Sequence, residues 1–303
     1  MLERVVRVVR CQGTRMAAVA VTTGAVCVIG PASAAAAADA RTVVNCKDNP
    51  AALRTAIAGA GAGETLGVKG TCIGPFTIAR NLTVVGLKDA VLDGNYASSA
   101  VAVTGAVRVH LTHLTIAHGT GTVVNGQVFG GGILNNAGGT VALTDSTVRN
   151  NAAQFGGGIA NLAVGGGTVT VTRSRVRNNM ASISAGGIFV GQNSTLALSD
   201  STVQDNHAQF GGGILNDAGG RVTLSGSAVR SNSATANGGG ISNLQGSTLT
   251  LIDSRVERNT TGDGPGSGGG ILNLGTVASA QSTVRDNNPD NCAPAGSVGG
   301  CTG

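Results

Sequence analysis

Seven positions lie three residues before an aliphatic residue that recurs along the chain: His113, Asp145, Arg173, Asp200, Gly226, Asp253 and Gln281. A histidine beside a carboxylate is material for general acid–base work, and a carboxylate beside a guanidinium makes a strong ion pair or part of a cation site. If successive repeats stack, His113, Asp145, Arg173 and Asp200 become neighbours at ~5 Å, close enough to interact. The same row also reads as a corner of alternating charge that keeps like charges apart, and this structural reading is the preferred one.

A second row follows one residue after the aliphatic position: Arg149, Arg177, Gln204, Arg230, Glu257 and Arg285, flanked by Arg175 and Arg255. Guanidinium forks match carboxylate geometry, which makes Arg149, Arg177, Arg230 and Arg285 candidates for holding an anionic glycan. Asp205, Glu257 and Asp286 offer balance from within the chain. The paired or triple aspartates of acid–base glycosidases are missing, and no pattern asks for a metal or a cofactor. Five Phe, one Tyr and no Trp leave little material for stacking on sugars.

The elements that must carry these rows are set by an internal repeat. Gly-Gly-Ile recurs with its isoleucine at 133, 159, 188, 214, 241 and 271, and Ser-x-Val-x-x-Asn recurs with its valine at 148, 176, 203, 229, 256 and 284. A period near 27 residues marks a repeat architecture. Between the motifs run short alternations such as Thr168-Val169-Thr170-Val171-Thr172, the signature of strands, about three per repeat with no helical pattern between them. The fold expected is therefore all-β: a parallel β-helix over 65–290 with about eight coils. Val141, Val169, Leu196, Val222 and Leu249 stack inside it, and the recurring serines and asparagines hold its corners. Spacing widens from Ile116 to Ile133 and from Val256 to Ile271, so His118–Phe129 and Thr260–Ser267 are expected to project beside a binding surface.

Composition supports a folded chain of unusually small residues. Of 303 residues 50 are glycine without a strict every-third pattern, and 41% are hydrophobic, which argues against collagen and against disorder. Residues 1–38 read as a secretory signal peptide, with a basic start to Arg15, an apolar run from Met16 to Gly30 and small residues at Ala34, Ala38 and Ala40 where cleavage is expected. The apolar run is too short to span a membrane. Without the leader the net charge falls from +5 to about +2, which removes the compositional case for nucleic acid. Cys46, Cys72, Cys292 and Cys301 then remain for an oxidising compartment. Three pairings are open to them; Cys46–Cys72 and Cys292–Cys301 are favoured, because a rod of ~40 Å separates the two ends beyond disulfide reach.

These repeats resemble the right-handed parallel β-helix family, the fold of pectate lyases. The GG[AI] and x-x-x-Asn motifs are most similar to those of secreted bacterial repeat proteins such as the polymorphic outer-membrane proteins. Upstream, Asn49-Pro50-Ala51-Ala52-Leu53-Arg54-Thr55-Ala56-Ile57 resembles the short amphipathic segment that precedes many such helices, so residues 39–64 are expected to form an N-terminal cap with a helix, and 291–303 a C-terminal disulfide loop. The resemblance implies calcium held by clustered acids and an Arg or Lys base, a pattern from which this chain departs: Asp217 is the only carboxylate near the Gly-Gly-Ile strands. The function expected is a secreted, monomeric, non-catalytic β-helix that presents an extended surface to extracellular or cell-wall polysaccharide or to a surface protein. The alternative is a polysaccharide lyase or glycoside hydrolase of the same superfamily.

Overall fold

The computed structural model describes residues 42–162, 166–299 and 301; the expected signal peptide, 1–38, lies outside them. Short strands stack in parallel into three sheets around one aliphatic core. The first, here the Ile sheet, has nine strands from Phe76–Ile78 through Ile133–Asn136 and Ile188–Val190 to Cys292–Ala293. The Val sheet has 17 strands and contains both the Thr-Val-Thr-Val alternations and the Ser-x-Val motifs. The return sheet has seven, from Thr122–Val124 to Thr260–Thr261. The solenoid makes about nine turns, one more than the repeats predict, because the irregular first strands and Cys292–Ala293 continue the stack. A complete coil carries four strands instead of three: Ile159–Asn161, Thr168–Thr172, Arg175–Arg177 and Met180–Ser184 form one such set.

Register follows the sequence motifs. Val141 pairs with Val169, Val169 with Leu196, Leu196 with Val222 and Val222 with Leu249, and all five are buried. Period-two alternation places these side chains inside and the threonines between them outside. At the next corner Ser146 Oγ donates to the Thr144 carbonyl at 2.6 Å and accepts from the Leu114 N–H at 3.0 Å, and the other corner serines repeat the first of these bonds.

The corner before the return strand is held by a buried row of asparagines. Asn151, Asn179, Asn206, Asn232 and Asn259 each donate Nδ2 to the next asparagine's Oδ1 at 2.9–3.0 Å. The left-handed residue at this corner is the one before each asparagine, including Asn150, Asn178 and Asp205, with φ of 53–55°. Asparagine and aspartate tolerate that region better than most residues. Past the return strand, the glycine triplets admit close backbone approach: a Cβ on Gly213 would lie 2.6 Å from the Gly240 carbonyl oxygen.

Both ends are closed. Helix α1 (Ala52–Gly59) buries Leu53 and Ile57 against the first strands, and Thr42–Asn45 adds a parallel rung beyond Glu64–Ile73. Cys46 bonds to Cys72 and Cys292 to Cys301, with Cα separations of 5.0 and 6.3 Å, the local pairing favoured from the sequence. The His118–Phe129 insertion is an antiparallel hairpin, Thr122–Val124 against Gln127–Phe129, closed by Asn125 and Gly126 at φ 50° and 80°. Two positive φ values in a two-residue loop are the type I′ turn that matches strand twist.

A second buried asparagine row in the Ile sheet, Asn135, Asn161, Asn216, Asn243 and Asn273, is interrupted by Val190. Asn216 Nδ2 donates to Asn243 at 2.8 Å, while its own Oδ1 has no partner, since the rung before it offers no amide. Val190→Asn should therefore stay within about 1 kcal/mol of the parent protein in a urea titration. Val203→Asn, in the aliphatic core, should lose more than about 3 kcal/mol. Equal losses for the two substitutions would contradict the assignment.

Candidate functional site

An open concavity lies outside the coil, where the return sheet turns into the Ile sheet. Phe129, Phe155 and Phe210 each end a return strand immediately before a glycine triplet. The bend brings them against Leu134, Ala160, Phe189 and Leu215, the outward residues of the Ile sheet, to form an apolar cluster separate from the core. Phe129 and Phe155 stack at 5.0 Å, and Phe189 meets Phe155 edge-on at 5.8 Å. Ser184 takes the place between Phe155 and Phe210 in the return row and opens the cluster into a groove of about 580 Å³. Its length follows a column of equivalent residues in five successive coils, Asn136, Leu162, Gly191, Asp217 and Leu244, or four steps of ~4.8 Å. The hairpin contributes a wall, pinned to the return sheet where the Val128 N–H donates to Gln154 Oε1 at 2.9 Å.

Aromatic residues are scarce in number but concentrated in space. Phe129, Phe155 and Phe189 line this groove, Phe210 packs in the same apolar cluster, and Phe76 belongs to the inner core. Sequence reasoning passed over it, although the repeated Phe-Gly junctions at Phe129, Phe155 and Phe210 are a readable signal, as is the Asn125-Gly126 hairpin turn. The first of the two expected insertions does wall a groove. The second, at Thr260–Ser267, is held by Ser267 Oγ donating to the Gly264 carbonyl at 2.7 Å, and it does not line this groove.

The arginine row occupies one outward column of the Val sheet, in the order Ala117, Arg149, Arg177, Gln204, Arg230, Glu257 and Arg285. It divides into two parts. Arg230 donates to Gln204 Oε1 at 2.5 Å, and Arg285 donates to Glu257 at 2.9 Å. Arg258, from the adjoining corner, holds the other oxygen of Glu257 at 2.8 Å. Arg149 and Arg177 stand side by side with Arg175 next to them and make no ion pair among the described residues, so positive charge concentrates on this part of the face.

The corner row stacks as expected. Arg173 grips Asp145 through two hydrogen bonds of 2.8 and 2.9 Å, His113 Nε2 lies 3.8 Å from the same carboxylate, and Asp200 follows on the next coil. The Arg173 hydrogen bond, aided by its charge and that of His113, lowers the Asp145 pKa, while Asp145 raises that of Arg173. A catalytic acid needs the opposite shift, and the geometry here is that of an ion-paired group of Arg173, Asp145 and His113. Calcium, which the fold resemblance implies, finds no matching donor set: among the described residues no three His, Cys, Asp or Glu side chains cluster in metal-binding geometry. A titratable pair absent from the sequence reading is Asp93–His118, with Nδ1 2.8 Å from Oδ2 and the exposed Tyr96 ring stacked on the imidazole at 5.2 Å. It lies in the first, irregular coils, where the repeat register gives no warning of it.

Glu257 is nearly buried, and its pKa is lowered by the Arg258 hydrogen bond first and by the charges of Arg258, Arg285 and Arg255 after it. A depressed carboxylate contributes stability above its unfolded pKa and loses it as pH falls through the folded value. Glu257→Gln should therefore destabilise the protein near neutral pH and flatten the acid limb of a pH–stability curve. An acid limb identical to the parent's would contradict this role.

No family model matches the chain, and no curated protein matches it in sequence. Among solved structures, the crystal structure of pectate lyase Pel9A superimposes with a TM-score of 0.52 at 14% identity, over 84% of this chain and 72% of that one. At such identity the likeness concerns the fold alone, and with the stacked parallel coils it establishes a pectate-lyase-like right-handed β-helix.

Proposed function

We propose that this β-helix is a secreted binding protein for extended extracellular polysaccharide, and that the phenylalanine groove is its main contact. The observation that carries the reading is the convergence of Phe129, Phe155 and Phe189 on one open groove along the coil axis, with Phe210 in the apolar cluster beside it. Aromatic rings supply large contact area on the apolar faces of sugars, and carboxamides at Asn125, Gln127, Asn136 and Gln192 supply hydrogen bonds to hydroxyl groups. A polymer whose units repeat along an axis suits a surface whose columns do the same. Two disulfides and the pectate-lyase-like fold support an extracellular setting.

The Arg149, Arg175 and Arg177 face is a second contact for acidic chains, weaker and screened by salt because it lacks an aromatic anchor. Arg230 and Arg285, already engaged, contribute less to it.

A catalytic reading, as lyase or hydrolase, rests on Asp93–His118, whose carboxylate holds Nδ1 and leaves Nε2 for an outside proton. Any turnover of a polysaccharide should then vanish in His118→Ala, while the exposed His113→Ala keeps it.

The binding reading is tested with hexasaccharides by calorimetry on the mature protein. Phe155→Ala, a change outside the inner core, should weaken neutral-glycan binding by at least about tenfold and leave the circular dichroism unchanged. Arg149→Ser with Arg177→Ser should weaken only uronate polymers and flatten their salt dependence. Glycan affinity indifferent to Phe155 would overturn the assignment of the groove.

A further inference from the structure

The lining of the phenylalanine groove is asymmetric in charge. Asp217 is its one charged residue, and no Lys, Arg or His borders it among the described residues. Asp217 stands in the floor column between Gly191 and Leu244, on the coil after that of Phe189. Its Oδ1 accepts from the Ala218 N–H at 2.8 Å, which leaves Oδ2 for a ligand. Gly191, without a side chain, precedes it in the column, and Leu162, Leu215 and Leu244 are apolar residues of the same lining.

A carboxylate beside aromatic and aliphatic side chains loses hydration when a ligand covers it; sugar hydroxyls return part of that loss as hydrogen bonds, and an ammonium group returns more by adding charge. Phenylalanine faces attract the same charge through their negative quadrupoles. The four carboxamides along the groove match hydroxyl or acetamido groups of either polarity.

The strands of the groove floor offer nothing to an extended peptide: peptides that bind along β-structure add a strand to a free edge, whereas Ile188–Val190 and Ile214–Asn216 are each paired on both sides. In the wall, the hairpin strand Thr122–Val124 pairs on one side only, with Gln127–Phe129, so a peptide is kept as an outcome of the test below. Over the floor, recognition comes from side chains, which suits a ligand rich in hydroxyls.

We infer that the groove takes an amino-sugar polymer, a glycan chain bearing free primary amines, with one ammonium group on Asp217 and the pyranose faces on the phenylalanines. The inference rests on the binding reading above and narrows its ligand class. It also separates this groove from the arginine face, whose charge selects acidic chains.

The test uses the mature protein, a glucosamine hexamer, cellohexaose and hexalysine, titrated calorimetrically at fixed ionic strength and at a pH where the sugar amines are protonated. The parent should bind the glucosamine hexamer about tenfold tighter than cellohexaose. Asp217→Asn should bring the two within about threefold while cellohexaose affinity holds, and Phe155→Ala should weaken both. An amine preference that survives Asp217→Asn overturns the inference and leaves the groove a neutral-glycan site. Hexalysine bound as tightly as the glucosamine hexamer, with the same dependence on Asp217, overturns it in favour of a cationic peptide. Failure of both sugars to bind a folded parent overturns the groove reading itself, and the inference with it.

Discussion

Each coil must bring its backbone back to within ~4.8 Å of where it began, and the corner before the return strand is one of the bends that make that closure. There the chain turns through a left-handed residue and then buries an asparagine whose amide joins the coil before to the coil after. Asn206 alone donates to the Val176 carbonyl and to Asn232, and accepts two bonds from Asn179. A carboxamide with two donor and two acceptor positions is the neutral side chain that can satisfy both neighbours at once. A coil out of register would leave buried amides unpaired on two levels, at a cost of about 1–3 kcal/mol each. Register over the coils from Asn151 to Asn287 depends on this row, and the position of their outward side chains depends on register.

Given that register, the surface is a set of columns, and function is to be sought where columns are interrupted. In the return row the small Ser184 between Phe155 and Phe210 opens a groove, and Gly191 lines it. Glu257 within the arginine column gathers Arg258 and Arg285, while Arg149 and Arg177 make no ion pair among the described residues. The Asp145–Arg173 pair shows the reverse case: opposite charges on adjacent coils pair, and residues that look reactive become an ionic strut. Two surfaces of different chemistry thus arise on different sheets of one coil.

The coil, its ladders, its capping helix and both disulfides were legible in the sequence because each is a one-dimensional pattern: a period, an alternation, or a pair of cysteines close along the chain. The groove was not, because it joins residues from different parts of the coil, Phe155 closing a return strand and Phe189 in an Ile strand, and only the bend at the glycines shows that they touch. Counting aromatic residues obscured their convergence. Asp93–His118 was hidden for another reason: the early coils have irregular lengths, so no repeat register aligns the two residues.

The central claim is that phenylalanine rings outside the coil make the contact with the glycan, and saturation-transfer NMR tests it most directly. With five Phe, one Tyr and no Trp in the chain, irradiation of the aromatic protons reports on few sites, and a Tyr96→Ala variant removes the exposed tyrosine from the count. The prediction is strong transfer to the ring C–H protons of a bound hexasaccharide in the Tyr96→Ala protein, abolished when Phe129, Phe155 and Phe189 are also replaced by alanine. Hexasaccharide binding without aromatic transfer, or transfer that persists after those three replacements, would contradict the account.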